Sequence, residues 1–171
     1  KGYCKRGLTA TRFHPAIRPS AAEGLAVKDI GEEALKADIP LYIVHLSSAE
    51  GLKAVRELRN KKAQIYTETT PHYLLLDNSY LNKEEAQLYL MTPPLRNKYD
   101  NQVLWQGISQ NEFHVIATDH CSFTEEQKMR SDSSLDILPG IPGTETMLAL
   151  IYSSGVRNNR LTLREMIELL A

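Results

Sequence analysis

Two stretches of the sequence combine an apolar run with a side chain that can bind a metal ion. His45 ends the run 41–45, and Asp119 ends the run 115–119. Such runs are typical of buried parallel strands, whose carboxyl ends lie at the edge where α/β proteins bind ligands. Imidazole and carboxylate groups bind Zn²⁺, and a carboxylate can also accept a proton from water. Because a zinc site usually has three or more protein ligands, the two residues predict half of a metal site.

Two further histidines lie near the same predicted edge. His72 follows Pro71 after another strand, and we expect it to be structural or to support a ligand rather than to bind metal. His120 would point to the opposite face from Asp119 if the strand continued by one residue, because side chains alternate along a strand. It is therefore a poor candidate ligand.

The remaining candidates are weaker. His14 lies in a loop and His114 precedes a strand, so both are expected to be exposed to solvent. Cys121 could be a nucleophile, but no glycine pattern of an oxyanion hole follows it, which argues against a cysteine hydrolase.

Helical patterns separate the strands. Ser20 is predicted to cap a helix that ends near Ala37, with Glu23 completing a capping box. Ser48 is predicted to cap the next helix, and Thr162 the last. The other predicted elements are a strand at 64–68, a buried segment at 74–76, a helical segment at 82–88, loops at 91–96 and 122–138, and helices at 100–110 and 144–153, the latter ending at Gly155.

The alternation of strands and helices predicts right-handed parallel crossovers in an α/β fold. From the pattern alone, it fits either part of a (β/α)8 barrel of the TIM type or a doubly wound sheet. The sequence has no GxGxxG and no GxxxxGKS motif, so nothing indicates a dinucleotide site or a P-loop.

Composition excludes several classes of partner. The 171 residues carry 20 Lys and Arg against 21 Asp and Glu, so nothing indicates nucleic acid or an anionic membrane. No apolar run approaches the roughly 20 residues that span a bilayer. Two cysteines without a CxxC pattern favour a reducing cytoplasm. The chain has no initiator Met at its start, and both ends resemble cuts, so residues 1–171 are expected to be a piece of a longer protein.

Four motifs occur in an order that resembles a known family. They are Pro40–Gly51, Glu68–Leu74, Met91–Arg96 and Ala117–Phe123. The series resembles the second half of a cyclic amidohydrolase and is most similar to dihydropyrimidinase and D-hydantoinase. The Ala-Thr-Asp-His motif alone would also fit dihydroorotase or allantoinase. The Cys-Ser-Phe continuation at 121–123 and the Pro-His-Tyr at 71–73 favour the hydantoinase side.

The resemblance implies the last three strands of a (β/α)8 barrel that binds two divalent metal ions, usually Zn²⁺, bridged by a carbamylated lysine. It places His45 as the metal ligand of the sixth strand and Asp119 as the metal ligand and proton acceptor of the eighth. Main-chain groups at Thr92 and at Pro139-Gly140 correspond to those that hold the substrate ring. The implied substrate is a small cyclic amide, and the implied assembly is a homotetramer.

Two departures from the family matter. The sequence has no His-x-His pair and no counterpart of the bridging lysine or of the fifth-strand histidine, so the chain alone should be inactive. Hydantoinases usually have Asn-Gly where this chain has Pro139-Gly140, and the turn resembles that of dihydroorotase-like relatives. The alternatives are therefore a dihydroorotase or allantoinase activity, a non-catalytic structural relative of dihydropyrimidinase, or an ordinary α/β binding domain.

Overall fold

A sheet of three parallel strands lies at the centre of the chain in the computed structural model, which describes residues 2–171. The strands are β1 (Leu41–Ile43), β2 (Ile65–Thr69) and β3 (Val115–Ile116), and they lie side by side in chain order. Leu41 is opposite Ile65, and Glu68 is opposite Val115. The predicted α/β class with parallel strands is therefore confirmed.

Helices account for most of the remaining regular structure. They are α1 (Gly2–Lys5), α2 (His14–Ile17), α3 (Ser20–Ala37), α4 (Ala49–Asn60), α5 (Pro71–Leu75), α6 (Lys98–Ser109), α7 (Glu125–Lys128), α8 (Met147–Ile151) and α9 (Leu163–Leu170). Short 3-10 turns occupy Thr11–Phe13, Asn78–Asn82 and Ala86–Tyr89, and a π-helical turn occupies Tyr152–Val156. No helix within residues 2–171 is long and apolar enough to cross a membrane.

The helices pack mainly against one face of the sheet. α3 contacts α4 and β1, α4 also contacts β2 and α6, and α9 contacts β3. α3 and α4 approach closely because Gly31 has no side chain: a Cβ there would lie 2.3 Å from Leu58 Cδ1. The other face of β1 and β2 is open, with Tyr42, Val44 and Tyr66 each about half exposed.

The predicted helix starts were right in two of three cases. The Ser48 side chain accepts a hydrogen bond from the Gly51 amide, and Thr162 forms a capping box with Glu165. The expected cap at Ser20 is wrong, because Ser20 is already helical and no side-chain hydrogen bond caps α3. Glu23 instead accepts hydrogen bonds from Ser47, at the end of β1.

Several weaker predictions need correction. The segment expected as merely buried around 74–76 belongs to α5, which begins at Pro71, a residue well suited to a first helical turn. The predicted loop 122–138 contains α7, which Thr124 caps. The helix predicted at 144–153 begins only at Met147, and the helical path continues past Gly155 as a π turn.

Candidate functional site

The two predicted metal ligands lie just beyond the carboxyl ends of the outer strands of the sheet. His45 follows β1 by two residues, and Asp119 follows β3 by three. Both have left-handed backbone conformations, with φ of 39° and 45° respectively. Residues other than glycine rarely adopt such backbone angles, and those that do are concentrated at functional sites. Each strand therefore ends in a sharp backbone turn at the candidate residue.

Glu68 stabilises the turn at His45. One carboxylate oxygen accepts a hydrogen bond from the His45 amide at 3.1 Å, and the other accepts one from the Tyr42 hydroxyl at 2.7 Å. Burial and this carboxylate raise the pKa of Tyr42 to about 12, so the phenol remains a donor. Sequence reasoning did not select Glu68, although its position in an alternating strand could have indicated that it shares a face with Tyr42.

A buried network fixes the chain immediately after His45. The Glu23 carboxylate accepts hydrogen bonds from the Ser47 amide at 2.7 Å and from its hydroxyl at 2.8 Å. The Arg96 guanidinium donates to the Ser47 hydroxyl at 3.1 Å and to the Arg18 carbonyl at 2.6 Å. Because Arg96 also forms an ion pair with Glu23, the loop after β1 is connected to α3 and to the loop that contains Thr92.

Asp119 is exposed, as are His120 and Cys121 after it. The next residue, His120, accepts hydrogen bonds through Nδ1 from the amides of Gly143 at 3.2 Å and Thr144 at 3.3 Å. This contact uses one ring nitrogen of His120 to connect the Asp119 loop with the loop before α8. The side chain of Asp119 remains accessible for binding.

Thr92 is an exposed residue in a mostly buried loop, and a buried histidine fixes the residue before it. His14 Nε2 donates to the Met91 carbonyl at 2.9 Å and lies 3.4 Å from the Thr92 hydroxyl. The expectation that His14 is solvent-exposed is wrong: only 2% of its surface is exposed. Its loop folds onto the segment around residue 91, a long-range contact that no local pattern indicates. His114, in contrast, is exposed as predicted.

Pro139 and Gly140 lie beside the Asp119 loop. The Cys121 amide donates to the Ile141 carbonyl at 3.1 Å, and His120 forms a parallel bridge with the same residue. Gly140 has a φ of 149°, and a Cβ there would lie 2.5 Å from the Cys121 carbonyl oxygen. Only glycine therefore fits this position without a shift of the backbone.

His72 is buried behind the edge of the sheet. Burial, reinforced by the nearby charge of His45, lowers the pKa of His72 to about 3, so its ring is neutral. Its Nε2 has no hydrogen-bond partner among residues 2–171. The ring lines a mainly apolar cavity of about 210 Å³ together with Thr118, Ile141 and Gly143.

The residues at this edge fit part of a metal site. His45 and Asp119 supply ligand types suited to zinc, and both side chains retain access to solvent. Within residues 2–171, however, no group of three or more His, Cys, Asp or Glu side chains could hold a metal ion. A complete site would need ligands from another segment or chain.

Comparison with known proteins shows that the chain is similar to part of proteins named D-phenylhydantoinase, D-hydantoinase and dihydropyrimidinase. It is 39% identical over 166 residues to a D-phenylhydantoinase of Escherichia coli, an alignment that covers 95% of this chain and 36% of that protein. The crystal structure of a dihydropyrimidinase from Brevibacillus agri matches all of this chain with a TM-score of 0.94 and 31% identity. A D-hydantoinase (dihydropyrimidinase) from Thermus sp. matches 99% of it with a TM-score of 0.95.

The alignments include nearly all of this chain but only part of each relative. The chain spans about a third of the length of the curated relatives that it matches, and 38% of each of those two crystal structures. No protein-family model matches the chain. The likeness to dihydropyrimidinase and D-hydantoinase that the four sequence motifs predicted is therefore confirmed along nearly the whole chain.

Proposed function

Because the chain is related to the dihydropyrimidinases and D-hydantoinases along nearly its whole length, we propose that it contributes to the hydrolysis of a cyclic amide. In this proposal, residues 1–171 form the last three strands and accompanying helices of a TIM-type (β/α)8 barrel within a longer enzyme. The chain alone is inactive because it lacks part of the ligand set.

One observation carries the proposal. In a chain that superposes on the hydantoinases, the His and the Asp of the recognised motifs follow the carboxyl ends of two parallel strands in left-handed conformations. Such an edge is the usual position of the active site in barrel enzymes. Positive φ values are uncommon at residues other than glycine, and they occur at active sites.

In the proposed reaction, Asp119 acts as the proton carrier. Its carboxylate accepts a proton from water as the water oxygen forms a bond to the amide carbon. It then donates this proton to the ring nitrogen as the carbon–nitrogen bond breaks. Main-chain groups at Thr92 and at Pro139-Gly140 hold the ring in place during both steps, which fixes the carbonyl relative to the attacking water.

His45 and Asp119 would hold part of a centre of two divalent metal ions, which we propose to be Zn²⁺, with a carbamylated lysine and the other ligands outside this chain. Such ions lower the pKa of water and polarise the amide carbonyl. Glu68 and Ser47 orient His45 through the backbone on either side of it. The enzyme is further proposed to be a cytoplasmic homotetramer.

Pro139 bears on which ring the enzyme hydrolyses. Proline has neither a side-chain amide nor a backbone N–H, so this position can offer a ring only its carbonyl. Hydantoinases usually have an asparagine there. We propose a dihydropyrimidine or hydantoin as the substrate, with dihydroorotate or allantoin as the alternative that Pro139 favours.

The experiment that tests the function measures metal content and hydrolysis of dihydrouracil, hydantoin and dihydroorotate with the full-length protein that carries this chain. Two metal ions per chain and turnover that falls at least about a hundredfold in Asp119→Asn would support the proposal, because general acid–base catalysis contributes about 10² to 10⁴. Glu125→Gln, at an exposed carboxylate of α7, is the matched control and should leave turnover unchanged.

Two other outcomes would refute the proposal. A protein that binds metal but hydrolyses none of the rings would not be a hydrolase of this substrate class. A metal-free protein that is inert toward all three would favour a non-catalytic structural relative of dihydropyrimidinase. Pro139→Asn separates the substrate branches: it should raise kcat/KM for hydantoin relative to dihydroorotate if the proline sets the preference.

A further inference from the structure

Lys128 is a buried cation with no carboxylate partner. It is the last residue of α7, and 3% of its surface is exposed. Among the residues that the structure describes, it forms no ion pair. Burial lowers its pKa to about 8. Because a buried ammonium is costly unless polar groups surround it, its position requires an explanation from the atoms that it contacts.

Those atoms are two main-chain carbonyls from different loops. The ammonium nitrogen donates to the Leu90 carbonyl at 2.8 Å and to the Gly140 carbonyl at 2.6 Å. The Gly140 amide donates to the same Leu90 carbonyl at 3.0 Å. Lys128 therefore closes a small hydrogen-bonded ring between segments that are 50 residues apart in sequence.

The two segments are those that carry the candidate ring-binding groups. Leu90 precedes Thr92 by two residues, and Pro139 precedes Gly140 directly. The same loop is also paired with the segment after Asp119, through the Cys121 amide and the Ile141 carbonyl. A displacement of either carbonyl would therefore change the distance between the two sides of the proposed ring site.

The bond from the Gly140 amide to the Leu90 carbonyl also joins the two loops, but among the described residues no other side chain at the junction donates to both. Gly140 has no side chain, and Leu90 is fully buried and apolar. His14 fixes only one side, through the Met91 carbonyl. Lys128 is the side chain that donates to both loops.

We propose that Lys128 is a positioning residue for substrate binding, which joins the loop 90–92 to the loop 139–141 and so sets the spacing of the groups that hold the ring. This inference rests on the proposed function for its consequence in binding, but the clamp itself is a property of the fold. Removal of the ammonium should loosen both loops and leave the sheet intact.

The first test is independent of activity. Hydrogen exchange is compared between the full-length wild-type protein that carries this chain and its Lys128→Met variant, which keeps the length of the side chain and removes its charge and donors. Peptides covering 86–96 and 137–142 should exchange at least about tenfold faster, since hydrogen bonds from a charged donor are among the strong ones. Peptides covering 41–69 should not change. Lys53→Met, at an exposed lysine of α4, is the control and should change neither loop.

The second test uses the full-length protein and the ring that it hydrolyses. Lys128→Met should raise KM at least about tenfold while kcat changes less, and the metal content should stay that of wild type. Loss of folded protein alone would lower the apparent kcat and leave KM unchanged. Lys128→Arg retains the charge in a larger, planar group, and it should recover folding with only part of the affinity.

The outcomes separate the two proposals. Unchanged exchange in both loops of Lys128→Met would overturn the clamp, whatever the enzyme does. Faster exchange with an unchanged KM would overturn the role in binding. If no ring is hydrolysed by wild type, the proposed function fails while the exchange result still decides the clamp. If Lys128→Met does not fold, the same comparisons with Lys128→Gln, which is polar but uncharged and too short to reach both carbonyls, decide it.

Discussion

Removal of the Glu68 carboxylate should release the turn that presents His45. In the structure this carboxylate accepts two hydrogen bonds, from the His45 amide at 3.1 Å and from the Tyr42 hydroxyl at 2.7 Å. A hydrogen bond to a charged acceptor contributes about 1.5–3 kcal/mol when sheltered from water. Because Tyr42 is about half exposed, its bond is screened by water and is expected to contribute less than this range, about 0.5–1 kcal/mol.

The difference between two variants isolates the bond to His45. Glu68→Ala removes both hydrogen bonds and should lower the free energy of unfolding by about 2–3 kcal/mol. Tyr42→Phe removes only the phenol bond and should lower it by about 0.5–1 kcal/mol. The remainder, roughly 1.5 kcal/mol, is the contribution of the bond that restrains the left-handed backbone of His45.

Urea denaturation of the 171-residue chain measures both values. The signal is the fluorescence of Trp105, the sole tryptophan, whose indole N–H donates to the Leu74 carbonyl at 3.0 Å in the core. In the full-length protein, Glu68→Ala should also weaken metal binding more than Tyr42→Phe does. Equal losses of stability in the two variants would refute the reasoning, because the bond to the His45 amide would then contribute nothing.

Three further predictions concern positions around the site. Burial lowers the pKa of His14 below its usual 6.5, so the unfolded chain binds a proton at this histidine at a higher pH than the folded chain does. The stability that the neutral His14 contributes is therefore present above about pH 6.5 and is lost as the pH falls. Denaturation at pH 5 and pH 7 should show a smaller pH dependence of stability in His14→Gln than in wild type. Gly140→Ala should cost about 1–3 kcal/mol, since its Cβ would meet the Cys121 carbonyl at 2.5 Å at a φ of 149°; a melting temperature equal to that of wild type would contradict this close contact. Ser48→Ala should cost about 1 kcal/mol by removing the cap of α4, and Ser48→Asp, which can also cap, should recover most of it in the same thermal unfolding assay.

The local patterns of the sequence determined the regular elements. Apolar runs predicted the three strands. β1 and β3 are shorter than predicted because each ends before a left-handed residue, His45 or Asp119, and β2 is shifted along the chain. The helices α4 and α9 begin at the predicted caps, since a Ser or Thr that accepts a hydrogen bond from the third following amide is a local interaction. The cap predicted at Ser20 is wrong because α3 begins one residue earlier than expected, with Pro19 at the cap position, and Glu23 accepts hydrogen bonds from the distant Ser47.

The sequence motifs also indicated the resemblance to dihydropyrimidinase and D-hydantoinase, and they selected the candidate edge residues His45 and Asp119. Their position at one edge of the sheet could be predicted because parallel strands with helical crossovers bring successive strand ends to the same edge. Whether these two residues bind metal stays a prediction. The same is true of Thr92, Pro139 and Gly140 as contacts of a substrate ring.

Only the tertiary structure decided which residues support that edge. Glu68, Arg96 and Lys128 act through contacts with backbone groups 12 to 78 residues away in sequence, and His14 is buried by a contact across 77 residues. No periodicity or spacing encodes such pairs, because they form when loops from different parts of the chain meet. A lysine in a polar loop is ordinarily solvated, and only its burial between two carbonyls distinguishes Lys128.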